Sequence, residues 1–271
     1  MYGAIVTDPV TRDGDLGVLF MHNEGWSTMC GHGIIALVTV ALETKMLKGM
    51  ETVKLDTPAG RVTARATLEG ERVRKVAFEN VPSFAYALDQ TVEVPEIGTV
   101  RYDIAFGGAF YAFVQAADLG VELTPLDFRA SIYRGMAVKR AVMKTHQIRH
   151  PYEDDLSFLY GTIIVGPPHS NGAHSRNVCI FAEGEVDRSP TGTGVSARLA
   201  LEYARGRLKK NEAFTVESII GTRFTGTVVD STKFGQYDAI IPRVEGSAWI
   251  TGKHEFLVAP DDPIKDGFIL R

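Results

Sequence analysis

The sequence contains two cysteines, and one of them stands where a thiol could act as a base. Cys30 opens the segment 30–33, which reads Cys-Gly-His-Gly and leads into an apolar stretch of helical character. A thiol has an unperturbed pKa of about 8.5, and a helix N-terminus stabilises the thiolate, so such a cysteine suits proton abstraction. Cys179 lies in the apolar pattern of a strand and is predicted to be a packed core residue.

A second glycine-rich segment, residues 191–194, repeats the x-Gly-x-Gly pattern and also precedes an apolar helical stretch. Glycines at a helix start leave the first N–H groups open to a ligand, and the helix dipole places partial positive charge at the same spot. Two such helix ends facing each other would hold a carboxylate. Each pattern alone is short and is also typical of an ordinary glycine-punctuated helix start.

The residues around both segments resemble the two active-site blocks of the proline racemase family. Residues 17–37 are similar to the first block and residues 187–194 to the second, and weaker similarity covers nearly the whole chain. Family members that racemise proline or epimerise 4-hydroxyproline carry cysteine in both blocks. The trans-3-hydroxy-L-proline dehydratases carry cysteine in the first block and threonine in the second. This chain has Cys30 and Thr191, and so resembles the dehydratases.

The resemblance implies a small set of site residues and no cofactor. Cys30 would remove the α-proton, and Thr191 would occupy the second face of the substrate without the thiol that returns a proton. Asp187 would accept a hydrogen bond from the ring ammonium of an imino acid. No metal is predicted, because the histidines show no His-Glu-x-x-His spacing and no paired Cys-x-x-Cys occurs. The implied substrate-binding residues are Gly31, His32, Asp187, Gly192 and Thr193.

The type of residue at the second face decides which reaction is feasible. Racemisation without a cofactor needs a base on each face of Cα, and the alcohol of Thr191 is not ionised near neutral pH. Elimination of water needs one base. In trans-3-hydroxy-L-proline the hydroxyl lies on the same ring face as the α-proton, so Cys30 could pass that proton to the departing hydroxide, with His32 as the alternative donor. The enamine formed would tautomerise to Δ1-pyrroline-2-carboxylate.

Three other functions stay open at this level. Thr191 argues against a proline racemase or 4-hydroxyproline epimerase. A catalytically silent homologue is the second alternative, because family chains usually have a further segment before residues 1–4, so the first domain is expected to be N-terminally shortened. A cysteine hydrolase built on Cys30 and His32 is disfavoured, because residues two apart at a helix start do not usually face each other.

The composition is that of an ordinary globular protein. Of the 271 residues, 45% are hydrophobic and 23% charged, with a formal net charge of -4. This charge and the lack of a long basic block argue against nucleic acid as a partner, and no apolar run is long enough to span a bilayer. Two cysteines are too few for a disulfide framework, which favours the cytoplasm. The expected partners are a small imino acid substrate and a second copy of the chain in a homodimer.

The elements that must position these residues are mainly strands. Helical character is confined to residues 33–47, 126–150 and 194–207, and the last strand is predicted at 247–252. The resemblance implies an α/β (α+β) diaminopimelate epimerase-like fold, with two pseudo-symmetric domains of curved, mainly antiparallel sheet around a central helix. The first domain would comprise residues 1–98 and 252–271 with the Cys30 helix. The second would comprise 99–251, with Asp187 and Thr191.

Overall fold

The computed structural model describes residues 2–22 and 25–267, which form fifteen strands and four α-helices. The strands are β1 Tyr2–Thr7, β2 Leu16–His22, β3 Gly25–Ser27, β4 Thr52–Thr57, β5 Gly60–Glu69, β6 Arg72–Glu79, β7 Ser83–Val94, β8 Gly98–Phe106, β9 Phe110–Gln115, β10 Leu159–Gly166, β11 Ser175–Phe181, β12 Glu185–Val186, β13 Ala213–Glu217, β14 Arg223–Phe234 and β15 Tyr237–Gly246. The helices are α1 Gly31–Glu43, α2 Ala116–Leu119, α3 Phe128–Thr145 and α4 Gly192–Ala204.

Eight of the strands form a closed barrel around α4. The strands run in the order β15, β14, β13, β11, β10, β9, β8 and β7, and β7 pairs back onto β15 at Phe84↔Ala239 and Ser83↔Ile240. Most neighbours are antiparallel, while β9–β10 and β11–β13 are parallel. Helix α4 packs against β7, β8, β14 and β15 and is buried on nearly every side. The barrel therefore fixes the position of the α4 N-terminus.

A second curved sheet continues from the barrel and carries α1. Its strands β6, β5, β4, β2 and β1 follow β15 in order, and residues 243–246 of β15 pair with residues 76–79 of β6. Helix α1 packs against β5, β6 and β15. One hydrophobic cluster joins Ile34 and Ile35 of α1 to Val195 and Leu199 of α4, so the two helices share a core. Strand β15 and this core hold the two helices in fixed relation.

The predicted α+β architecture, with a helix at the centre of each curved sheet, is confirmed. The three predicted helices form as α1, α3 and α4, with ends that differ by two to five residues from the predicted ones. The strand predicted at 247–252 is wrong, because β15 ends at Gly246 and residues 247–267 contain no helix or strand. Strand β7 was not predicted, because two irregularities in its pairing with β8 break the period-two pattern.

The division into two domains at residue 98 stays a prediction. Strand β7, which precedes that position, closes the barrel that holds α4. Residues 252–267, predicted to return to the first domain, are exposed along their described length. The last residues of that predicted segment, 268–271, lie outside the described residues.

Candidate active site

Cys30 is the N-cap of α1, and its sulfur faces the open end of the helix. Its backbone is extended, with φ -138° and ψ 107°, and the Gly33 N–H donates to Sγ at 3.3 Å. The side chain is buried, with 5% of its surface exposed. A hydrogen-bond donor and the positive end of a helix dipole both stabilise negative charge on the sulfur.

Thr191 is the N-cap of α4 and adopts an unusual backbone conformation. Its φ is +67° and its ψ is 99°, a region that costs a β-branched residue about 1–3 kcal/mol. Two hydrogen bonds hold it there: its hydroxyl donates to Asp187 Oδ2 at 2.9 Å, and its N–H donates to Ser189 Oγ at 3.1 Å. The Thr191 hydroxyl proton is therefore engaged by a carboxylate.

Asp187 lies before α4 and is almost fully buried. Its Oδ1 accepts from the Ser189 N–H at 2.8 Å, and its Oδ2 lies 3.3 Å from His32 Nδ1. Burial raises the pKa of the Asp187 carboxyl, but the charge and hydrogen bond of His32 and the Ser189 N–H outweigh it, so the pKa lies below its ordinary value. Asp187 is thus a buried, ionised carboxylate.

His32 joins the two helix ends electrostatically. Its Nδ1 lies 3.1 Å from Ser189 Oγ and 3.3 Å from Asp187 Oδ2, and His32 and Cys30 line the same small space. Burial alone lowers the pKa of His32, but the negative charges of Cys30 and Asp187 raise it well above its ordinary value. Both neighbours therefore favour the protonated form of the imidazole.

Cys30 and His32 line the same small space, although residues two apart at a helix start are not usually expected to face each other. That expectation assumed helical spacing between the two residues. Because Cys30 is an extended N-cap and not the first helical residue, its side chain swings back over the first turn of α1. The structure thus brings Cys30, His32 and Asp187 into one row of interacting side chains.

The two glycine-rich helix ends touch. A Cβ placed on Gly31 would lie 2.5 Å from the Cα of Gly192, and one placed on Gly192 would lie 2.6 Å from the Cα of Gly31. No other residue fits at either position without displacing backbone. Next in α4, the Thr193 hydroxyl pairs with the buried Tyr111 hydroxyl at 2.7 Å. The predicted residues Gly31, Gly192 and Thr193 are thus all adjacent to the charged row.

Aromatic rings form the wall of the site, and sequence reasoning missed most of them. Tyr160 stacks on Phe181 with ring centroids 5.6 Å apart, and Tyr2 meets His32 edge-on at 5.3 Å. These residues belong to three strands that are separated along the sequence, so no local sequence pattern marks them. Ser189 was also missed, although its position two residues after an aspartate is typical of a side chain that caps a turn.

The space between the thiol and the carboxylate is nearly closed. It measures about 10 Å³, and Cys179 lies on its wall together with Cys30, Asp187 and Thr191. A much larger cavity of about 700 Å³ adjoins it, and His32 and Asp187 line both. His32 therefore stands between the enclosed site and a space open to solvent.

Among residues 2–22 and 25–267, no group of three or more His, Cys, Asp or Glu side chains could hold a metal ion. No helix in the same part of the chain is long and apolar enough to cross a membrane.

Several known proteins are similar to this chain over nearly its whole length. The family model described as proline racemase matches residues 1–269. A protein named trans-3-hydroxy-L-proline dehydratase from Colwellia psychrerythraea is 46% identical over 274 residues, which cover 100% of this chain and 77% of the relative. A proline racemase from Acetoanaerobium sticklandii is 40% identical over 99% of this chain and 81% of its own length.

Solved structures agree with the fold. A hydroxyproline epimerase from Agrobacterium vitis, crystallised with trans-4-hydroxy-L-proline, superposes with a TM-score of 0.94 at 31% identity, covering 98% of this chain and 77% of that one. A predicted epimerase from Pseudomonas aeruginosa shares the fold alone, with a TM-score of 0.59 at 14% identity over 95% of this chain and 84% of that one. The glycine-opened helices, the Cys30 and Asp187 blocks and these matches lead to one conclusion: the chain belongs to the proline racemase family.

Proposed function

We propose that the protein is a trans-3-hydroxy-L-proline dehydratase, with Cys30 as the base that removes the α-proton. The observation that carries this proposal is the state of Thr191. It occupies the second-face position, and its hydroxyl donates to the ionised Asp187. An alcohol that donates its proton to a carboxylate is not a base, so Thr191 would not exchange a proton with the second face of the substrate.

Cys179 does not supply the missing second base. It borders the enclosed site, but burial is the main cause that raises the pKa of its thiol far above the ordinary value, and the nearby charge of Asp187 raises it further. Cys179 therefore remains a neutral thiol in the folded protein. This supports Cys30 as the sole thiol base, as the sequence analysis predicted.

The charges around the site suit an imino acid. The substrate carboxylate would lie at the N-termini of α1 and α4, where the first N–H groups of each helix have no partner within the helix. These donors would stabilise the charge that spreads onto the carboxylate when Cα loses its proton. Asp187 would accept from the ring ammonium. Retaining that positive nitrogen next to Cα makes the α-proton more acidic.

The proposed reaction needs no external reagent. Cys30 takes the α-proton, a double bond forms between Cα and C3, and the C3–O bond breaks with its electron pair going to oxygen. Oxygen then takes a proton and leaves as water. The enamine tautomerises to the cyclic imine Δ1-pyrroline-2-carboxylate.

A pair of cysteine variants tests this assignment. Cys30→Ser removes the thiolate and should lower turnover of trans-3-hydroxy-L-proline by about 100-fold or more, the usual range for loss of a general base. Cys179→Ser, on the wall of the same site, is the matched control and should keep most of the activity. Formation of pyrroline-2-carboxylate is the measurement. Full turnover by a folded Cys30→Ser variant would exclude Cys30 as the base.

A cytoplasmic location and a homodimer belong to the same proposal. Both cysteines are free and buried, which agrees with a reducing compartment. Strand β1 pairs only with β2 among the described strands, and Ile5 on it is 42% exposed. An open strand edge with apolar side chains is a surface on which a second copy could pair.

A further inference from the structure

We propose that His32 is the general acid that protonates the departing 3-hydroxyl, so that Cys30 acts only as the base. The proposal rests on the dehydratase function proposed above and assigns the second half of that reaction to a separate residue.

Position is the first argument. His32 lies two residues after Cys30 at the same helix end, and both residues line the enclosed space that Asp187 also borders. The leaving hydroxyl of trans-3-hydroxy-L-proline is on the ring face that carries the α-proton. A substrate that presents its α-proton to Cys30 therefore presents its hydroxyl on the side of the site where His32 stands.

Charge is the second argument. His32 is flanked by Cys30 and by Asp187, whose Oδ2 lies 3.3 Å from Nδ1. The carboxylate of Asp187 favours the protonated form of the imidazole before the substrate reacts. When the ring ammonium of the substrate takes over Asp187, the histidine proton loses its carboxylate partner and becomes available to a new acceptor. The hydroxyl oxygen, which gains negative charge as the C3–O bond breaks, is that acceptor.

Access to solvent is the third argument. The His32 side chain is 28% exposed and lines both the enclosed site and the adjoining cavity of about 700 Å³. Water formed at the histidine can leave through that cavity. Asp187, by comparison, is 6% exposed.

The proton balance closes within the pair. The form of the pair that reacts has Cys30 as a thiolate and His32 as an imidazolium. The thiolate takes the α-proton, and the imidazolium gives its proton to the hydroxide, which leaves as water. The site then holds a thiol and a neutral imidazole. One proton transfer from Cys30 to His32 restores the starting pair, and no proton has to be exchanged with solvent.

A change of leaving group distinguishes the proposed acid, His32, from the proposed base, Cys30. Chloride leaves without a proton, so an analogue of L-proline with chloride in place of the trans-3-hydroxyl needs the base but not the acid. His32→Asn should lower turnover of trans-3-hydroxy-L-proline by about 100-fold, within the usual range for general acid catalysis, while turnover of the chloride analogue falls by less than about 3-fold. His254→Asn, in the exposed C-terminal segment, is the matched control and should change neither rate.

The same experiment separates the two proposals. If the wild-type protein forms no pyrroline-2-carboxylate from trans-3-hydroxy-L-proline, the dehydratase function itself is wrong. If the wild type is active and His32→Asn affects both substrates equally, or neither, the acid role alone is wrong. Should His32→Asn fail to fold, the wild-type pH profiles decide. Turnover of the hydroxyl substrate should fall at high pH as His32 loses its proton, whereas turnover of the chloride analogue should not, and parallel profiles would overturn the proposal.

Discussion

His32 is the residue whose properties depend most on its neighbours. The resemblance implies that it contacts the substrate, together with Gly31, Asp187, Gly192 and Thr193. The ion pair between His32 and Asp187 could not be predicted, because 155 positions separate the two residues and no local pattern links them. The placement of Cys30 beside His32 depends on the extended backbone of Cys30, which is the N-cap of α1. Cysteine is not a residue type that marks such a cap in a sequence.

The charge coupling at the site predicts how His32 titrates. Asp187→Asn removes one of the two negative charges that raise the pKa of His32, so the His32 pKa should fall in this variant. The measurement is a ¹⁵N or ¹³C NMR titration of the histidine ring, with His254 in the exposed segment as the internal control. A His32 pKa unchanged by the substitution would contradict the ion pair.

The same coupling has a defined effect on stability. The pKa of His32 is raised on folding, so its contribution is complete below its unfolded pKa of about 6.5 and is lost as pH rises through the raised value. The pKa of Asp187 is lowered, so its contribution is present above about pH 4 and is lost as pH falls through the lowered value. The stability difference between wild type and Asp187→Asn should therefore shrink on acidification.

The starts of helices α1 and α4 could be predicted from the sequence, whereas the contact between them could not. The glycine patterns indicated where α1 and α4 start, although both begin two residues earlier than predicted, directly after Cys30 and Thr191. The positive φ of Thr191 carries no sequence signal, since threonine disfavours that region. The contact between Gly31 and Gly192 arises only when the two sheets are assembled.

This contact predicts the effect of adding one methyl group. Alanine is the better helix former, yet Gly31→Ala places a Cβ 2.5 Å from the Gly192 backbone, which cannot move away cheaply. The variant should lose about 1–3 kcal/mol of unfolding free energy, as overpacked sites do. Gly3→Ala is the control, because its Cβ meets only the flexible end of the Met21 side chain at 3.3 Å, and its change should stay below about 0.5 kcal/mol. Chemical denaturation measures both, and a Gly31→Ala protein as stable as wild type would contradict tight contact of the helix ends.

At the scale of the whole molecule, one strand decides the architecture. Strand β15 pairs with β14 and β7 in the barrel and with β6 in the second sheet, so it connects the two halves of the fold. The sequence predicted two similar curved sheets around central helices, and this is confirmed. It could not predict that β7 closes the barrel, because Phe84 and Ala239 are 155 positions apart.

The space between Cys30 and Asp187 is too small for the proposed substrate in this structure. A space of about 10 Å³ holds roughly one water molecule and not a five-membered ring. We therefore expect the aromatic wall beside the helix ends to move when the proposed substrate binds. The adjoining cavity of about 700 Å³ gives the displaced side chains room to move.

An enzyme with a single base is expected to eliminate water and not to epimerise, and ¹H NMR in deuterated water distinguishes these two reactions. The protein is incubated separately with trans-3-hydroxy-L-proline and with trans-4-hydroxy-L-proline. We predict that the 3-hydroxy compound is converted to pyrroline-2-carboxylate and that the 4-hydroxy compound gives no cis-4-hydroxy-D-proline. Formation of the cis epimer from the 4-hydroxy compound, with the 3-hydroxy compound left intact, would show that the protein is an epimerase and not a dehydratase.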